Sequence, residues 1–124
     1  MSIISKLSSI EREYYGTKFQ LALKAIQRGW TQGQGARTAD GESTSPLHPS
    51  AVKFCAYGAI CASFADKKTE HISNMNRHKV KIMMDVIRER PEMTDSFVSE
   101  WNDAPERKKK DVVQLFKNVI KDLE

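Results

Sequence analysis

A chain of 124 residues that is 40% hydrophobic and 29% charged holds enough apolar material for one compact core and too much for a disordered tail. Its net charge of +4 divides into +3 over residues 1–65, +3 over 66–90, −4 over 91–104 and +2 over 105–124, a mixed surface and not a basic stripe. The apolar stretch 51–65 is interrupted by Lys53 and too short to span a bilayer, and the N-terminus lacks a secretory apolar region, so a cytoplasmic protein away from membranes is expected.

The first segment is helical in pattern. Ser8 and Glu11 have the S-x-x-E form of a capping box, with Ile3, Ile4 and Leu7 suggesting an earlier start. Tyr15, Phe19, Ala22, Leu23 and Ile26 fall on one helix face, Gly16 marks a kink or break, and Gly29 is a stop. From Trp30 to Pro49 the pattern becomes Gly-, Ser- and Thr-rich, and so long a polar segment is unusual in a small domain. Either it forms a small hairpin turning at Asp40-Gly41, or it is a functional loop.

Residues 51–65 read as a central helix, apolar nearly all round and rich in small side chains. A third helical region runs from about Thr69 to Arg90 and stops before Pro91. Thr94 is placed to cap a short helix with Phe97, Val98 and Trp101, and the final helix carries Val112, Leu115, Phe116, Val119, Ile120 and Leu123 on one stripe. The expected fold is therefore all-α, a single domain of about five helices around residues 51–65, with a long loop or small hairpin at 30–49.

Few residue sets carry chemistry. Trp30 offers a stacking face, Gln32 an amide, Arg37 a bidentate cation and Asp40 a carboxylate, which suits a nucleotide or a partner's acidic tail. The same groups equally suit internal roles: Trp30 filling the core, Gln32 bonding loop backbone, Arg37 and Asp40 pairing. Trp101, Asn102 and Asp103 share that ambiguity, since Asn102 or Asp103 can cap the last helix while Trp101 packs inward. Gly33-Gln34-Gly35 lacks the Gly-Lys-Ser/Thr ending of a phosphate loop. Arg107, Lys108, Lys109 and Lys110 lie in the first turns of the last helix, against its dipole, and so are candidates to face an acidic partner.

Cys55 with His48 and Asp103 or Asn102 supplies the residue types of a thiol hydrolase, but an apolar helix disfavours the thiolate. Cys55 and Cys61, six apart on one expected helix, would point about 120° apart, which argues for reduced thiols. His71 and His78 lack a third ligand at metal spacing, so neither metal nor cofactor is expected.

Three stretches taken together resemble a family of small domains of unknown function from bacteria and their phages. These are Trp30-Thr31-Gln32-Gly33 with Ala36-Arg37 and Asp40-Gly41; Phe54-Cys55 with Gly58-Ala59; and Trp101-Asn102-Asp103-Ala104-Pro105 with Arg107. The resemblance spans Ile26 to Ile120, while the region from Lys67 to Arg90 carries no motif of the family. It implies no particular activity. Its phage members imply a small accessory or counter-defence inhibitor that binds a host protein, in keeping with the absence of an assembled catalytic set. The alternatives are a nucleotide or small anionic signal binder, using the 30–40 loop and the 101–105 turn, and a Cys55-dependent hydrolase.

Overall fold

A computed structural model describes residues 2–65 and 72–124. The elements run α1 (Ile3–Lys6), α2 (Ser9–Arg28), β1 (Ala36–Arg37), β2 (Ser43–Thr44), β3 (Lys53–Phe54), α3 (Ala56–Ala62), α4 (Asn74–Arg88), α5 (Val98–Asp103) and α6 (Lys109–Leu123). No helix among the described residues is long and apolar enough to cross a membrane.

The capping box expected at Ser8 is present: the Ser8 hydroxyl accepts from Glu11 N at 3.1 Å, and the Glu11 carboxylate accepts from Ser8 N at 2.9 Å. The helix it opens continues unbroken through Gly16 to Gly29. Tyr15, Phe19, Ala22 and Ile26 form its buried stripe, and Phe19 meets Phe116 edge to face at 6.1 Å. The core is completed by Ile60, Trp101, Val112 and Leu115, with α2 lying against both α6 and α3.

Two expectations about residues 30–65 require correction. The fold is mainly helical yet not purely so, because residues 30–54 build a three-stranded antiparallel sheet in the order β2-β1-β3. The hairpin turn falls at Asp40-Gly41 as anticipated, with Gly41 at φ +87° and its N–H donating to Thr38 O at 2.9 Å. The helix expected over 51–65 begins only at Ala56. Lys53 and Phe54 are extended because their backbone pairs with Arg37 and Ala36, and Phe54 also bridges to Trp30 on its other side. Cys55 is therefore the N-cap of α3, its thiol accepting from Gly58 N at 3.2 Å. The two cysteines do not share a helix.

Glycine enables two close approaches around β3. A Cβ at Gly29 would lie 2.4 Å from Val52 O, and one at Gly58 would lie 1.9 Å from Gly35 O. Any larger residue would push the strand off α2 or the polar segment off α3.

Farther along, Ser73 caps α4 by accepting from Asn76 N at 3.2 Å. The expected start at Thr69, and His71, lie outside the described residues. Phe97, not Thr94, is the N-cap of α5 and offers no side-chain cap. The final helix is opened by Asp111, whose carboxylate accepts from Lys108 N at 2.9 Å; neither Asn102 nor Asp103 caps it.

Candidate functional site

Residues 29–37, 53–58 and 101–104 close on one another around Asn102. Its side chain is fully buried in a core that otherwise consists almost wholly of apolar groups. The amide oxygen accepts from Trp30 Nε1 at 2.8 Å and from Ala56 N at 3.0 Å. The amide nitrogen donates to Thr31 O at 3.1 Å and to Asp103 Oδ1 at 2.9 Å. All four bonding positions of the carboxamide are thus filled, which makes so deeply buried a polar group tolerable.

Neighbouring groups extend this clasp. Gln32 Nε2 donates to Asn102 O and to Ala104 O, both at 3.0 Å, satisfying carbonyls at the C-terminal end of α5. Asp103 Oδ1 also accepts from Gly33 N at 3.0 Å. Arg37 lies within the polar loop, its Nε donating to Thr31 Oγ1 at 2.8 Å, one terminal nitrogen to Gly41 O at 3.0 Å and the other to Gln32 O at 3.3 Å. Asp40 is exposed at the turn, and no ion pair joins it to Arg37 among the described residues. Trp30, Gln32, Asn102 and Asp103 therefore meet directly, Arg37 supports them through Thr31 and Gln32, and Asp40 stands apart.

Trp101 is buried and donates its indole N–H to Glu92 O at 3.0 Å. Arg107 precedes α6 instead of lying within it; it donates to Trp101 O at 2.8 Å and stacks its guanidinium 3.9 Å from the Trp101 ring centre. Lys109 reaches Gln27 O at 2.8 Å, a carbonyl in the last turn of α2, where a cation is favoured. Of the four basic residues, Lys108 and Lys110 are exposed, with no side-chain contact of this kind among the described residues.

The match to a family model now has a structural meaning. A family of unknown function, DUF6197, matches residues 18–122. The chain belongs to the DUF6197 family. No curated protein and no solved structure matches it. The matched residues contain every member of the clasp, and the DUF6197 chain described here uses its W-x-Q-G, F-C-x-x-G-A and W-N-D-A-P stretches to join three segments distant in sequence.

Neither cysteine is poised as a nucleophile. Burial pushes the Cys55 thiol up, outweighing the backbone hydrogen bond from Gly58, and the nearby Asp103 charge raises it further. Burial likewise raises Cys61. His48 is turned toward Ser50, with its Nδ1 2.7 Å from the Ser50 hydroxyl. Among the described residues no group of three or more His, Cys, Asp or Glu is placed to hold a metal ion.

An open groove of about 450 Å³ lies between residues 45–47, α3 and α4. Pro46, Leu47, Val80 and Met84 give it apolar walls, Tyr57 is 41% exposed within it, and Arg77 and Lys81 bring positive charge, with no carboxylate lining it among the described residues. Lys81 is anchored by Asp85 at 2.9 Å, while Arg77 Nε donates to Ile72 O at 3.3 Å. A hydrogen bond to Cys61, aided by burial, pushes the Tyr57 hydroxyl up to about 12, so Tyr57 enters any interaction as a neutral hydrogen-bonding aromatic.

None of these groove residues belongs to the residues singled out by motif. Tyr57 was hidden among the apolar residues of 51–65. The available signal was on α4, where Arg77 and Lys81, and Val80 and Met84, recur at spacing four and so share adjoining faces.

Proposed function

We propose that this chain is a non-enzymatic cytoplasmic binding protein whose groove between residues 45–47, α3 and α4 takes an acidic, apolar-anchored segment of a protein partner. The observation that carries this reading is the composition of the groove: apolar walls, an exposed neutral tyrosine and two cations, with no acid lining it among the described residues. An apolar side chain of the partner fits against Leu47, Val80 and Met84, while its carboxylates face Arg77 and Lys81. The clasp favours this division of labour, since Trp30, Gln32, Arg37 and Asn102 already direct their donors to internal acceptors. A small accessory inhibitor that occupies a surface of a host protein fits a chain built this way.

The test is selection of a random-peptide display library on the purified chain, followed by anisotropy titration of the selected peptides. The expected peptides combine Asp or Glu with one large apolar residue, and Arg77→Glu weakens their binding at least about tenfold. Binding that survives Arg77→Glu but is lost on Lys110→Glu would move the site to the basic segment around the start of α6 and overturn the reading.

A further inference from the structure

We infer that the outer face of α2 is a self-association surface, on which a second copy of this chain docks antiparallel. The face is independent of the groove. Residues Tyr15, Phe19, Ala22 and Ile26 turn to the core, yet Ile10, Tyr14 and Leu21 lie within about 40° of one another on a second stripe, about 130° around the helix. These three are 80%, 37% and 44% exposed. The long helix α6 gathers its apolar residues on one side, whereas α2 is apolar on two faces, the arrangement of a helix partnered on both.

Charge along the face selects the occupant. Glu13 lies at its N-terminal part, Lys24 and Arg28 at its C-terminal part, and all three are exposed, while Lys18 between them turns its ammonium to Ser63 O at 3.0 Å. None of them is in an ion pair among the described residues. An antiparallel second copy with its two-fold axis near Thr17 and Lys18 sets Tyr14 and Leu21 of one chain against Leu21 and Tyr14 of the other. The same register brings Glu13 alongside Lys24 of the second copy, twice over by symmetry. A parallel arrangement would place like charges together. The close contacts of Lys18 and Lys79 with the Tyr14 ring, at 5.7 and 4.8 Å, fix that ring at the margin of the stripe.

Sedimentation equilibrium across micromolar to submillimolar concentrations tests this. The full chain is expected to populate a dimer, and Leu21→Glu to abolish it while leaving the melting temperature in place at dilutions where the parent is monomeric. Glu13→Lys alone and Lys24→Glu alone each weaken dimerisation roughly tenfold, and the double exchange Glu13→Lys/Lys24→Glu restores it. A monomer at every concentration, a dimer indifferent to Leu21→Glu, or single exchanges without rescue in the double variant would each overturn the proposal.

Discussion

The indole N–H of Trp30 donates to the side-chain oxygen of Asn102 at 2.8 Å, joining residues 72 apart in the chain. Because the same oxygen accepts from Ala56 N, that one atom ties the end of α2, the start of α3 and the end of α5 together. Asn102→Ala would strand the indole donor, the Ala56 amide and the Thr31 carbonyl in a buried place. The expected loss is about 3 kcal/mol or more in urea unfolding. Trp30→Phe removes one donor and leaves the Ala56 bond, and it should cost roughly 1–2 kcal/mol by the same measurement. An Asn102→Ala loss below about 1 kcal/mol would show that the clasp contributes little.

Two glycine substitutions in helices should act in opposite directions. At Gly16 a Cβ meets nothing within 4 Å, so Gly16→Ala should stabilise the chain by about 0.5–1 kcal/mol through helix propensity. At Gly58 the added Cβ would meet Gly35 O, a backbone atom that cannot swing aside, and Gly58→Ala should cost roughly 3 kcal/mol. Melting temperatures of the two variants, measured side by side, check the contrast.

That contrast also marks what was legible in the sequence. Local periodicity and capping chemistry exposed α2, α4 and α6, and the Asp40-Gly41 turn, because those features depend on residues a few positions apart. Gly58 looked like one more small residue in an apolar run. Its role is set by Gly35, and the extended state of Lys53 and Phe54 by Ala36 and Arg37, so neither can be read locally. Asn102 stood out with Trp101 and Asp103, yet its four partners come from Trp30, Thr31, Ala56 and Asp103, a set assembled only by folding. The groove was missed for the same reason: Pro46, Tyr57 and Arg77 become neighbours through the packing of α3 and α4.

Arg107 should differ from the lysines that follow it. Losing the stack on Trp101 and the bond to its carbonyl, Arg107→Ala is expected to cost about 1–2 kcal/mol. Lys108→Ala and Lys110→Ala should stay within about 0.5 kcal/mol of the parent in the same unfolding experiment.

Stability should fall at alkaline pH. Folding raises Cys55 and Cys61 above their ordinary value of 9.0, chiefly through burial, and raises Tyr57 from 10.0 to about 12 through its bond to Cys61. Groups that hold protons more tightly when folded contribute stability that is intact below about pH 9 and is lost as pH rises through the folded values. Both thiols should also resist alkylation at pH 8 in the native protein and react promptly in urea. Native labelling as fast as that of the unfolded chain would contradict their burial.

On the acid side the direction reverses. Burial pushes Glu92 up, but the hydrogen bond from Asn118 and the Arg90 charge together hold it below its ordinary 4.5. Its contribution is present above that value and is lost as pH falls through the folded one. Asn118→Ala should therefore flatten the acid limb of the stability curve.

The proposed binding in the groove leaves the family motifs the task of closing the fold. Amide and indole chemical-shift mapping of the labelled chain with a selected acidic peptide addresses both halves at once. The account predicts shifts at Leu47, Tyr57, Arg77, Lys81 and Met84, with the Trp30 indole and the Asn102 side-chain amide unmoved. Shifts confined to Trp30, Gly33 and Asn102, with the groove silent, would contradict it.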